Sequence, residues 1–219
     1  MKILTDLQEK VLAALFALEN IHRHFYLTGG TALAAFYLKH RQSDDLDLFT
    51  HTVSIESVTH VVQDALSGAG LKVESQRQSP TFRRYLVNDE LQLDLVRDVD
   101  YRVGTPQLIE NIMVDSKKNI AVNKVLAIYG RLDPKAYVDL FFLFKEDKYD
   151  INELMEIGRY KDAGLEPFQW AKVIADADTI SILPRMLKEC DLKIMKTFFH
   201  DLRDQILDGL RKKVVTSDQ

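Results

Sequence analysis

Residues 27–49 read LTGGTALAAFYLKHRQSDDLDLF, and no other stretch of the chain restricts its fold as tightly. The short aromatic run before Gly29 predicts a strand over 24–28, the Gly29-Gly30 pair a tight turn, and TALAAFYLKH a helix. A second strand over 45–49 follows, in which Asp45 and Asp47 alternate with Leu46 and Leu48. Residues two apart in a strand share a face, with Cα atoms roughly 6.5 to 7 Å apart, so two carboxylates project together and two leucines face the core.

The rest of the chain divides by periodicity. Apolar positions at helical spacing predict a helix over 6–20, opened by Thr5 with Gln8 three residues on as a capping box. Another helix is expected over 54–67, closed by Gly68 and Gly70. Strands follow over 71–76, 82–87 and 91–96, with Asn88-Asp89 as a hairpin turn. From Lys117 onward the pattern is helical, with Asp133 as a cap and Pro134 in a first turn. The expected organisation is a mixed α/β half over 1–115 and a helical half over 116–219.

In LQLDL the leucines Leu91, Leu93 and Leu95 alternate on one face, leaving Asp94 on the other. Asp45, Asp47 and Asp94 together offer hard oxygen ligands of the kind Mg²⁺ takes, the remaining positions going to water and phosphate. Three such acids suffice for two ions, one activating an attacking oxygen and one stabilising the leaving oxygens. Gly29 and Gly30, with Thr31, let backbone N–H groups approach a phosphate at a helix N-terminus. Each piece alone has a plainer meaning, a tight turn or a solvated surface; their order and spacing carry the functional reading.

Lys124 and Arg131 stand seven apart on the expected helix and share a face. They are either snorkelling surface residues or a clamp for a triphosphate. Asp139 lies within VDLFFLF, where a carboxylate needs a partner, either Lys135 or Lys124.

Bulk properties set limits. The 219 residues carry 29 basic and 33 acidic side chains, a formal net charge of -4, so nucleic acid is not drawn by a global positive field. Local basic candidates are Arg77, Arg83 and Arg84, and the Arg211-Lys212-Lys213 run. Cys190 is the single cysteine, which with no secretion signal at MKILTDLQEK points to a reducing, cytoplasmic setting. The six histidines show no zinc-ligand spacing, no nucleotide-binding G-x-x-x-x-G-K-[ST] motif occurs, and Trp170 with Phe168 reads as a packing anchor. No apolar run reaches the roughly 20 residues that span a bilayer.

The string GGTALAAFYLKHRQSDDLDLF resembles the AbiEii/AbiGii toxin family of the polymerase β-like nucleotidyltransferase superfamily, and NKVLAIYGRLDPKAYVDLFFL extends the likeness across about residues 27–143. The resemblance implies an α+β fold, with a polymerase β-like nucleotidyltransferase core built on a mixed sheet and completed by a helical C-terminal region. It implies transfer of a nucleoside monophosphate from an NTP to a hydroxyl, with two Mg²⁺ ions, or Mn²⁺, on Asp45, Asp47 and Asp94. Arg41 and Ser43 match the R-x-S lead-in to the acids, Lys124 and Arg131 the basic residues that meet phosphate, and Asp139 the site's last carboxylate. Where the family pattern has an acidic residue before the aromatic of the x-x-V-D-L motif, this chain has Ala136. A toxin role beside a separate antitoxin and an RNA acceptor, tRNA above all, follow by the same analogy. A catalytically silent NTP-binding module acting on a partner protein, and a magnesium-dependent phosphohydrolase, are the competing readings.

Overall fold

The computed structural model describes residues 2–217, with side chains as far as Lys212; the side chain of Lys213, in the C-terminal basic run, lies outside the described residues. Two compact units divide the chain, Met1–Ile120 and Ala121–Gln219. The division falls inside helix α5 (Lys117–Gly130). The first turn of α5 is tied to the first unit: Asn119 donates to Asp115 at 2.8 Å and accepts from the Val103 amide at 3.3 Å.

The first unit holds a seven-stranded mixed sheet. Its strands are β1 (Tyr26–Thr28), β2 (Leu46–Thr50), β3 (Val73–Ser79), β4 (Phe82–Val87), β5 (Leu91–Arg97), β6 (Gln107–Ile109) and β7 (Ile112–Val114), in the order β3-β4-β5-β2-β1-β7-β6. The β2–β5 and β1–β7 pairs are parallel and the others antiparallel. Leu46, Leu48, Tyr85, Leu93 and Leu95 are buried on one face of this sheet, as period-2 alternation requires.

Local differences from the sequence expectation have physical causes. The N-terminal helix breaks into α1 (Asp6–Phe16) and α2 (Glu19–His24), because Leu18 turns extended at φ -80, ψ 124. His24 therefore ends a helix, and β1 is three residues long. The Gly-Gly segment is itself the first turn of a helix, α3 (Gly29–Ala32), which runs on as a π-helical stretch, Leu33–Leu38, until Lys39 turns left-handed at φ 51. Helix α4 (Ile55–Gly68) is capped by Ser54, and β3 starts later than 71. Asn88 and Asp89 make the expected hairpin turn with φ of 51 and 63, the two positive values such a turn demands. Glu110 and Asn111 do the same, at φ 48 and 67, for the short β6–β7 hairpin, which has no periodic signal in the sequence.

The second unit is helical: the remainder of α5, then α6 (Pro134–Glu146), α7 (Ile151–Arg159), α8 (Pro167–Val173), a 3₁₀ stretch Ile174–Thr179, and α9 (Leu192–Ser217). Asp133 caps α6 onto the Lys135 amide with Pro134 in the first turn, as the sequence predicts. Trp170 is fully buried and donates its indole N–H to the Val125 carbonyl at 2.9 Å, whereas Phe168 is exposed beneath Lys172. No helix among the described residues is long and apolar enough to cross a membrane.

Candidate active site

The acids meet across the sheet. Thr28 on β1 faces Asp47 on β2, Asp47 faces Asp94 on β5, Asp94 faces Arg84 on β4, and Arg84 faces Arg77 on β3. Cross-strand partners share a face, and neighbouring strands lie about 4.8 Å apart, so these five residues form one transverse row on the face opposite the leucine core. Asp45, two residues before Asp47, sits at the entrance to β2 and is half-buried.

The glycine turn closes on the same row. Gly29 has φ +71, and a Cβ there would collide with Asp47 Oδ2, so only glycine admits this approach of backbone to carboxylate. A Cβ on Gly30 would strike the Arg41 guanidinium and stand 3.0 Å from Ser43 Oγ. Thr31 is buried and its hydroxyl donates to the Asp45 carbonyl, which fixes the strand entrance. Arg41 is also buried, with Nη1 donating to the Gln42 carbonyl at 2.8 Å. Thr31, Arg41 and Ser43 therefore brace the loop that presents Asp45.

Further contacts at the site are not announced by any local motif. Gln8 completes the α1 capping box with Thr5 and also donates to the Ser43 carbonyl at 2.9 Å, so one side chain ties the helix start to the acidic loop. Its capping role is legible from spacing; the contact 35 residues away is not. Asp115, fully buried at the end of β7, accepts from Thr28 Oγ1 at 2.7 Å, beside Asp47 in the row. Burial, with the charges of Asp115 and Asp98 behind it, pushes the Tyr26 phenol well above its ordinary value. Arg84 forks onto Asp94, Nε to Oδ1 at 2.8 Å and Nη2 to Oδ2 at 2.7 Å, and Gln92 adds a bond to Oδ2 at 3.2 Å. The bonds to Asp94, reinforced by the charges of Asp94, Asp45 and Asp47 and partly offset by desolvation, raise the Arg84 guanidinium further above its usual value.

The basic patch expected from Arg77, Arg83 and Arg84 is split between faces. Arg83 points to the side opposite the acids, where it meets Ser75, Gln78 and Thr59. Arg77 and Arg84 lie on the acidic side, 5.9 and 5.5 Å from the Phe82 ring.

Asp45, Asp47 and Asp94 fit a hard divalent cation by donor type, since all offer carboxylate oxygens; Asp47 and Asp94 stand in register, and Asp47 lies close against Gly29. Among the described residues no three acidic, histidine or cysteine side chains already converge on one point.

Lys124, Arg131 and Asp139 belong to the second unit. Lys124 Nζ stands 2.7 Å from Asp139 Oδ2, the lysine side chain 13% exposed and the aspartate 0%, so Lys124 rather than Lys135 is the partner. Arg131 does not continue the helix face of Lys124, because α5 ends at Gly130; its side chain is 75% exposed and reaches Asp133 at 3.4 Å. Ala136 is buried in α6, where an acid would need a counter-charge of its own.

Comparison with known proteins identifies the family and the shared fold. The sequence model of the family described as nucleotidyl transferase AbiEii toxin, type IV TA system, matches residues 10–208. An uncharacterised protein of Aquifex aeolicus (strain VF5) is 30% identical over 152 residues, 65% of this chain and 68% of that protein. Among solved structures, JHP933 from Helicobacter pylori superposes with a TM-score of 0.57 at 20% identity, covering 98% of both chains. MenT4, a nucleotidyltransferase toxin of Mycobacterium tuberculosis H37Rv, does so with a TM-score of 0.56 at 14% identity, over 93% of this chain and 82% of its own. These likenesses show the shared fold, and the match over residues 10–208 shows the kinship: the chain belongs to the AbiEii nucleotidyl transferase toxin family and is a nucleotidyltransferase.

Proposed function

We propose that this nucleotidyltransferase moves a nucleoside monophosphate from an NTP to a hydroxyl of RNA, with tRNA the favoured acceptor, and acts in the cytoplasm as the toxin of a pair whose antitoxin is a separate protein. The observation that carries the reading is the register of Asp47 beside Asp94, with Gly29 packed onto Asp47. Mg²⁺, as two ions, or Mn²⁺ in its place, would be held by Asp45, Asp47 and Asp94 and would neutralise charge on the reacting phosphates.

The chain's own residues supply position. The first turn of α3 offers its unpaired amides to the triphosphate, and Thr31, Arg41 and Ser43 hold that turn against the acidic loop. The acceptor hydroxyl oxygen forms a bond to the α-phosphorus as the bond to pyrophosphate breaks, and the hydroxyl proton leaves to a carboxylate of the row. In this scheme Lys124 and Arg131 are the phosphate-facing cations and Asp139 the carboxylate that orients Lys124. The family description, a type IV TA system, supports the toxin role; the RNA acceptor rests on the resemblance alone.

Incubating the protein with each α-labelled NTP, Mg²⁺ and either total tRNA or lysate, then identifying the labelled species, tests the acceptor. Label on tRNA is the expected result. Label on a protein or a small molecule would overturn the RNA assignment while leaving nucleotidyl transfer in place.

A further inference from the structure

We propose that Arg84 is an internal counter-ion of the acidic row, holding Asp94 until a divalent cation takes that carboxylate, and so setting how tightly the metal binds. The proposal rests on the reading of Asp45, Asp47 and Asp94 as metal ligands.

Asp47 and Asp94 on one sheet face, with Asp45 just before β2, repel one another, and a basic side chain opposite in register is the simplest compensation. Arg84 has that place by strand pairing, directly across from Asp94. It uses the geometry only a guanidinium has, two parallel N–H groups on both oxygens of one carboxylate. Asp94 is 7% exposed and Arg84 32%, so the acid is enclosed while the arginine stands at the rim, on the side from which an ion or solvent arrives. The guanidinium also lies over Phe82, a ring it shares with Arg77, which gives it a resting surface that does not depend on Asp94. A divalent cation entering beside Asp94 meets this positive group at the same two oxygens and is repelled by it. Gln92, also on Oδ2, is neutral and donates one bond, so it orients Asp94 without opposing the ion.

The test is titration with Mn²⁺ alone, without nucleotide, by the paramagnetic signal of the free ion, on the wild type, Arg84→Ala, Arg84→Lys and Asp47→Asn. Thermal melting with and without Mn²⁺ runs in parallel. Arg84→Ala is expected to bind Mn²⁺ roughly tenfold or more tightly, the size of losing a charge-assisted competitor. Its metal-free midpoint should fall below that of the wild type, and saturating Mn²⁺ should close the gap. Arg84→Lys, which keeps the charge but not the fork, should lie between, and it carries the same test if the alanine variant fails to fold. Wild-type or weaker Mn²⁺ binding in the Arg84 variants, with binding lost in Asp47→Asn, would overturn the counter-ion proposal and leave the metal site standing. Mn²⁺ binding that is absent in the wild type, or unchanged in Asp47→Asn, would overturn the metal site and this proposal together.

Discussion

Asp94 on β5 and Asp139 on α6 are both enclosed carboxylates bonded to a basic side chain, but their surroundings differ. Asp139 is wholly buried and Lys124 nearly so, the two in contact within a helical unit. Asp94 shares its row with Asp47 and stands near Asp45, and its arginine stands partly in solvent. Breaking a buried ion pair is costly because it leaves a charge in a low-dielectric interior; carboxylates that face one another across strands add like-charge repulsion, which a divalent cation would relieve under the proposed metal site. The contrast lies in the surroundings: Asp139 meets its lysine inside a helical unit, whereas Asp94 meets its arginine beside a second carboxylate in register.

The largest expected effect on stability comes from the buried pair. Lys124→Ala takes the lysine from the fully buried Asp139 carboxylate and is expected to cost about 3–5 kcal/mol, with most of it recovered in the double replacement Lys124→Met with Asp139→Leu. Denaturant unfolding of the three proteins checks this, and activity per folded molecule of the double variant decides the rest. Normal transfer would make the pair purely structural; lost transfer would place Lys124 at the phosphate.

Gly29→Ala comes next. The left-handed backbone alone costs about 1–2 kcal/mol for alanine, and the added methyl must also displace the Asp47 carboxylate. A folded variant with a lowered melting point and transfer reduced far beyond its loss of stability is expected. Unaltered transfer would mean that Asp47 does not need its present position.

The turn, the acids and the second helix start were all legible in the sequence, because each is a local rule: glycine before a helix, alternation in a strand, aspartate before proline. Arg84 was legible only as a charge. Its partner is set by hairpin register, which brings residue 84 opposite residue 94, and no local pattern near either residue states it. The short strands β6 and β7 escaped for a related reason. Three residues are too few to show a period, and the φ-positive pair between them is Glu-Asn, without the glycine that advertises such turns. Lys124 and Arg131 fit a helix face by spacing, but the helix stops at Gly130, and spacing carries no meaning past a helix end.

Gln8→Ala sharpens the point about long-range ties. It removes the bond that Gln8 Oε1 accepts from the Thr5 amide and the bond that Nε2 donates to the Ser43 carbonyl, an expected cost of about 1–2 kcal/mol. A Thr5→Ala variant, which breaks the cap but leaves the loop contact, should lose stability without the additional fall in transfer that Gln8→Ala produces. Equal activity in the two would remove the loop clamp from the account.

Arg131→Ala should do least to stability. An exposed pair with Asp133 contributes on the order of 0.5 kcal/mol or less, so melting should hardly change. A specific rise in the KM for NTP would keep Arg131 as a phosphate contact, and no rise would remove it from the site.

We propose that Asp45 together with Asp47 and Asp94 of the row supports divalent-metal-dependent nucleotidyl transfer. The most direct measurement is a Mg²⁺ titration of the wild type and of folded Asp47→Asn with an α-labelled NTP and RNA, counting label transferred and pyrophosphate released. Label and pyrophosphate should appear in equal amounts, rise together with Mg²⁺, and fall by on the order of 10²–10³-fold in Asp47→Asn at unchanged fold. Transfer that persists in Asp47→Asn, or release of phosphate without labelled acceptor, would contradict it.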